Sequence, residues 1–177
     1  MRAFGGPVTG CFAAAQAWTS GAGRLPKALR EQRQEFFSLV QHGDTAGVLR
    51  LLDAGIDPHV RDGRQRTLLH LLHLVDHEIM LPRLLDAGLD LEARDHHERT
   101  PIHVAVDEGP VAVVRALLDA GARTDVADDQ DRSLPFLIDY HKRKELLFLK
   151  KAIIRDQYPD PARAAEALLW EWGGTDD

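Results

Sequence analysis

A five-residue string returns three times at one spacing. Leu51-Leu52-Asp53-Ala54-Gly55, Leu84-Leu85-Asp86-Ala87-Gly88 and Leu117-Leu118-Asp119-Ala120-Gly121 follow one another at intervals of 33 residues. A second string keeps the same interval: Arg66-Thr67-Leu68-Leu69-His70, Arg99-Thr100-Pro101-Ile102-His103 and Arg132-Ser133-Leu134-Pro135-Phe136. Two anchors sharing one period restrict the chain to stacked copies of a single supersecondary unit, and they assign a phase to every other residue.

Apolar spacing fills in the unit. Pro26 suits a first helical turn, and Leu29, Phe36, Phe37, Leu39 and Val40 continue a helix that Gly43 stops. Val48, Leu49, Leu51 and Leu52 then give a short second helix ended by Gly55. The same pair is expected as Leu68 to Val75 with Ile79 to Leu85, and as Ile102 to Val106 with Val111 to Leu118. A fourth, altered pair runs from Leu134 to Tyr140 and from Glu145 to Ile154, with Lys142-Arg143-Lys144 in its turn. Helices this short are marginal in isolation, so stacking on neighbours is obligatory. Asp160 and Pro161 signal one more helix, with Ala165, Leu168, Leu169 and Trp172 on its buried stripe, which would close the open end.

In the best-formed unit Thr100 opens the first helix, Pro101 is tolerated in its first turn, and His103 is placed to tie neighbouring loops through a ring nitrogen. Ala105 is small where two helices approach, Gly109 allows the reversal, and Gly121 ends the second helix. Thr100-Pro101-Ile102-His103-Val104-Ala105 and the 33-residue period resemble the ankyrin repeat. The resemblance covers Glu35 to Ile154, and Thr67-Leu68-Leu69-His70-Leu71-Leu72 is a looser copy. It implies an all-α solenoid of about four helix-turn-helix repeats with terminal capping helices. The organisation expected is an irregular arm over 1–24, a repeat domain over 25–155, and a capping helix and tail over 156–177. A small, stand-alone, bacterial-like member of the family is the nearest type.

Departures from the family pattern locate the expected distortions. Asp62, Asp95 and Asp128 hold the turn aspartate, but Gln65, Glu98 and Asp131 replace the usual glycine, so less regular turns are expected. Asp76 stands where Gly43 and Gly109 stand, and Pro82 falls inside a helix, which makes the middle repeat the expected site of distortion. Thr67, His70, Thr100, Pro101, His103, Gly55, Gly88 and Gly121 belong to the structural motif.

The resemblance further implies a contact surface made of turn tips and a concave face of first helices. Carried onto this sequence, it selects Arg64, Arg66, His96, His97, Arg99, Gln130 and Arg132 in the tips, with Leu74, Val75, Asp107, Glu108, Tyr140 and His141 at the helix ends. Tyr140, with rigid apolar area and a polar tip, is the favoured anchor. Leu74 and Val75 are expected to be exposed and to need a partner or local covering.

Other chemistry is poorly supplied. His73 and His77 are four apart, and Asp95-His96-His97-Glu98 crowds one turn, but neither forms His-Glu-x-x-His, and no nucleophile elbow or phosphate loop is present. No enzyme, cofactor or metal is therefore expected, and a metal-dependent enzyme is the least supported alternative. A net charge of -6 disfavours nucleic acid, leaving the basic run at 142–144, with Lys150 and Lys151, as solvated surface or a patch for an acidic protein. The single cysteine, Cys11, has no partner in the sequence. No apolar run approaches the roughly 18 residues that span a bilayer, and breakers at Gly5, Gly6, Pro7 and Gly10 weaken an export signal. The expectation is a cytoplasmic, monomeric, non-enzymatic module that binds another protein, with an inhibitor or immunity-type role. A structural or assembly spacer is the alternative.

Overall fold

The structure, a computed structural model, describes residues 26–157. The arm over 1–24 with Cys11 and the closing helix placed from Asp160 to Trp172 lie outside the described residues. Seven helices occur among those described: α1 (Lys27–Gln41), α2 (Thr45–Asp53), α3 (His77–Asp86), α4 (Pro101–Glu108), α5 (Val111–Asp119), α6 (Leu134–Tyr140) and α7 (Leu147–Gln157). Short 3-10 turns at Leu72–Leu74 and Lys144–Leu146 complete four pairs. Asp44 and Asp76 cap α2 and α3 by accepting a backbone N–H, and Pro101 and Pro135 occupy first turns, where no intrahelical donor is needed.

The pairs stack in two layers. α4 packs against the Leu72–Leu74 turn on one side and α6 on the other, while α3 packs against α5 in the second layer. α1 with α2, α4 with α5, and α6 with α7 join the layers within each repeat. Val48, Leu72, Met80, Leu84, Ile102, Val106, Val114, Leu117, Leu134 and Leu146 are fully buried, so one apolar seam runs through all four pairs. Each such side chain contributes roughly 1.5–3 kcal/mol on burial, which short helices cannot obtain alone.

The middle repeat is distorted, but in its first helix rather than at Pro82. Residues expected to be helical from Leu68 to Val75 form successive turns, only Leu72–Leu74 being a 3-10 helix, and Val75 is extended. Leu72 stands in the register of Ala105, and its larger side chain is fully buried where the better-formed repeat has a small residue. Unwinding gives that side chain room at the tight approach between layers. α3 runs unbroken through Pro82 to Asp86. Gly109 also departs from expectation. Its φ of -90° is accessible to any residue, but an added Cβ would lie 2.8 Å from the Ala105 carbonyl oxygen, so close approach selects glycine there. Gly55, Gly88 and Gly121 do take positive φ, 94°, 81° and 95°, and stop the second helices as expected.

The turns are more regular than the sequence suggests. Gln65, Glu98 and Asp131 adopt φ of 62°, 56° and 55°, so three non-glycine residues hold the same left-handed conformation. Each closes the same bond, with Gln65 N–H donating to the Asp62 carbonyl at 3.0 Å and its counterparts to Asp95 and Asp128 at 3.1 Å. The hydrogen bonds fix the geometry, and the side chains bear the strain.

Two buried histidines anchor the first segments of their repeats. His70 Nδ1 accepts from Thr67 N–H at 3.2 Å and from the Thr67 hydroxyl at 2.9 Å, and Nε2–H donates to the Arg99 carbonyl at 2.9 Å. This joins one repeat to the next. His103 accepts from Thr100 through Nδ1 in the same way, and the Val126 backbone acts on its buried ring from the following loop. The expected tie between loops is made most directly by His70. Burial lowers the His70 pKa to about 4, against the opposing pull of the Arg99 carbonyl and Asp95. Burial also lowers His73 and His103.

Two outcomes follow for stability. Replacing Gln65, Glu98 and Asp131 by glycine should each raise unfolding free energy by about 0.5–1 kcal/mol, read from urea midpoints, because the left-handed cost is removed and only partly offset by unfolded-state entropy. The desolvated histidines set a pH dependence of opposite sign to acid stabilisation. Below about pH 6.5 the unfolded chain takes up protons that the folded chain refuses, so stability declines as pH falls. His70 alone accounts for about 3 kcal/mol between pH 6.5 and 4. Urea unfolding of His70→Asn should show a shallower decline over that window, and an unchanged slope would refute the assignment.

Candidate functional site

Turn tips are the first half of a recognition surface, and their order comes from repeated carboxylate clamps. Asp62 Oδ1 accepts from the N–H groups of Arg64 at 2.8 Å and Arg66 at 2.9 Å, while Oδ2 accepts from Arg66 Nε at 2.8 Å. Asp95 repeats this with His97, Arg99 and the Arg99 guanidinium, and Asp128 with Gln130, Arg132 and the Arg132 guanidinium. Burial acts to raise the Asp95 and Asp128 carboxyls, but the arginine and backbone donors outweigh it and hold both below the ordinary aspartate value. Charged donors on buried carboxylate oxygens are among the stronger hydrogen bonds available.

Further bonds join one tip to the next. Arg61 Nη1 donates to the Gln65 carbonyl and to the Arg94 carbonyl, both at 2.8 Å. Arg94 Nη1 donates to Glu98 at 3.0 Å and to Ala127 at 3.2 Å. His96 N–H donates to the Arg64 carbonyl at 2.9 Å, and Asp129 N–H to the His97 carbonyl at 3.1 Å. The tips are thus held as an ordered row.

This geometry divides the contact residues expected from sequence. Arg66, Arg99 and Arg132 are clamp residues, half-buried against their aspartates. Leu74 and Val75 are half-buried and packed on the core, which supplies the covering that exposed apolar residues would need. Asp107 pairs with His141 Nε2 at 2.7 Å and with Arg99 at 3.6 Å, and Glu108 lies 3.6 Å from His73. Arg64, His96, His97 and Gln130 project from the tips, His97 being 3.5 Å from Asp129. Tyr140 is 66% exposed. Its ring stacks on Phe136 at 5.8 Å and meets His141 edge-on at 4.9 Å. Phe136, itself exposed, was not selected from sequence because it stands in the register of buried His103.

The basic run expected at the surface is partly drawn into the fold. Arg143 donates to the carbonyls of Val106 at 2.9 Å, Asp107 at 3.4 Å and Gly109 at 2.7 Å, satisfying the C-terminal end of α4 from the next repeat. Lys142 takes a left-handed φ of 53°, and buried Lys150 donates to Asp139 at 2.5 Å. Cationic surface instead gathers at the other end of the stack. A groove of about 670 Å³ lies between α1 and the first tip, lined by Arg30, Arg33, Gln34, Phe37 and Gln41 from the helix and Asp62, Gly63, Arg64 and Arg66 from the turn. The signal was present as polar residues recurring at helical spacing along α1, but that stretch precedes the first full repeat.

Among the described residues no group of three or more His, Cys, Asp or Glu side chains is arranged to hold a metal ion, and no helix is long and apolar enough to cross a membrane. Histidine neighbours His96 and His97 are edge-on at 5.6 Å, without a third donor to complete a coordination shell. The arrangement is suited to non-covalent contact, with ordered tips, an aromatic pair and a basic groove.

A comparison with curated proteins found no match. The model of the ankyrin-repeat family, in three copies, matches residues 36–128, from α1 to the third Asp–Arg turn, and leaves α6 and α7 beyond the match. Proteins with this fold typically act as non-catalytic scaffolds that mediate protein–protein interaction. With paired helices, clamped turns and a family match over more than half its length, the chain belongs to the ankyrin-repeat family.

Proposed function

We propose that the chain is a cytoplasmic, non-enzymatic binding module that recognises one protein partner through its tips and the adjoining face of its first helices. The observation that carries this reading is the exposed Phe136–Tyr140 stack, which the core does not use. Rigid aromatic area with a polar tip is the usual material of a binding anchor. Arg64, His96, His97 and Gln130, on the tips, supply the adaptable polar part of the surface. Because the tips are already ordered by hydrogen bonds, association loses little further backbone entropy.

A compact acidic scaffold of this kind suits an inhibitor or immunity-type role, in which it covers the working surface of a toxin or enzyme. It also suits a small stand-alone, bacterial-like member of the family. The second reading, a structural spacer, draws on the exposed Ile79 of the second-helix layer as a point of self-association.

Affinity capture from native extract tests the assignment. Phe136→Ala combined with Tyr140→Ala should weaken retention of a specific partner by about thirtyfold, the scale of a lost hot spot. Ile79→Ser should leave retention unchanged. Loss with Ile79→Ser alone, accompanied by dissociation of an oligomer in light scattering, would favour the spacer.

A further inference from the structure

The groove at the start of the stack has a chemistry unlike the rest of the molecule. In later repeats an Asp–Arg turn precedes each first helix, but here α1 extends back over that register, and Leu29 and Arg33 stand where Asp62 and Arg66 stand one repeat on. The extension runs beside the first tip and makes one wall of the groove; Asp62 to Arg66 make the other. Arg30, Arg33, Arg64 and Arg66 line the groove beside one carboxylate, Asp62, which Arg66 and two backbone N–H groups already engage. Arg30 and Arg64 are exposed, and neither side chain forms an ion pair among the described residues. Phe37, almost fully buried, supplies apolar floor, and Gln34 and Gln41 add amide groups along the same helix face.

We propose that this groove binds an acidic segment of a partner protein, with carboxylates held by Arg30 and Arg64 across an apolar floor at Phe37. The inference rests on the protein-binding reading above and names the chemistry of one part of the partner. Guanidinium forks match carboxylates in two-point geometry, and the amides of Gln34 and Gln41 can bond to peptide backbone. The volume of about 670 Å³ lies in the range of ligand clefts and accommodates a short stretch of chain. Charge complementarity selects the occupant. In a chain of net charge -6, a confined basic groove attracts a local cluster of carboxylates, whereas a nucleic acid strand needs a basic track long enough to follow its phosphates.

Fluorescence anisotropy on the full-length chain, with a dye-labelled glutamate-rich peptide carrying one central leucine, tests this. Binding should weaken with added salt, and a lysine-rich peptide of equal length should not bind. Arg30→Glu and Arg64→Glu should each reduce affinity by about tenfold, and together by about a hundredfold, with thermal unfolding unchanged because both side chains are exposed. Phe136→Ala with Tyr140→Ala should leave peptide affinity unchanged. Absence of binding, equal binding by the charge-reversed variants, or tighter binding of a single-stranded oligonucleotide would each overturn the proposal. If the peptide fails while partner capture still depends on Phe136 and Tyr140, the groove assignment falls and the binding-module reading stands. If the peptide binds while capture is indifferent to the aromatic pair, the groove assignment stands and the Phe136–Tyr140 anchor falls.

Discussion

The stack depends on hydrogen bonds that cross from one repeat to the next at the spacing of the repeat itself. Arg61 reaches the Arg94 carbonyl and Arg94 reaches the Ala127 carbonyl, both 33 residues on, while His70 reaches Arg99 over 29. Hydrophobic burial draws the helices together but is indifferent to small slips of one layer over another. The carbonyl bonds are directional and remove that freedom. Once they fix the turns in line, the Asp62, Asp95 and Asp128 clamps fix the path within each turn, and the left-handed residues at 65, 98 and 131 are held despite their strain. The same hydrogen bonds thus position the repeats and preorder the surface they present.

Charge is distributed by the same logic. Most arginines at repeated positions act on the chain's own carboxylates and carbonyls. Arg66, Arg99 and Arg132 close turns, Arg61 and Arg94 join them, and Arg143 satisfies the end of α4. The Asp–Arg pairs are largely buried, and their aspartate oxygens would be costly without these donors. Arginines that break the repeat pattern have a different standing. Arg30 belongs to the helical extension and Arg64 to a variable tip position, so the periodic structure places no demand on either.

Period and phase carried most of the fold in the sequence. Leu-Leu-Asp-Ala-Gly located the ends of three second helices, and Thr100-Pro101 located the start of α4, because each of those residues acts on its immediate backbone. The unwound segment at Leu72 was less legible, since its cause is side-chain volume at an approach between layers and not local propensity. The candidate surface was legible in part. Arg64, His96, His97, Gln130 and Tyr140, carried over from the family resemblance, are exposed, whereas Arg66, Arg99 and Arg132 look alike in sequence and are engaged by aspartates four residues earlier. Arg143 and Lys150 were hidden for a related reason, as their acceptors belong to other helices.

The two ends of the stack therefore differ in what they can recognise. Basic groups converge at α1, and exposed aromatic rings converge at α6, with three clamped tips between. First helices packed at the usual 8–10 Å separation place these ends roughly 25–30 Å apart, a span of about eight extended residues. A partner that engages both ends must present acidic and apolar groups at a matching distance. A rigid scaffold turns that distance into a criterion of specificity, because a ligand with the right groups at the wrong spacing can satisfy only one end. Flexibility in the tips would relax the criterion, and the carbonyl bonds between repeats oppose it. The interactions that hold the repeats in register thus also fix the distance between the basic groove and the aromatic pair.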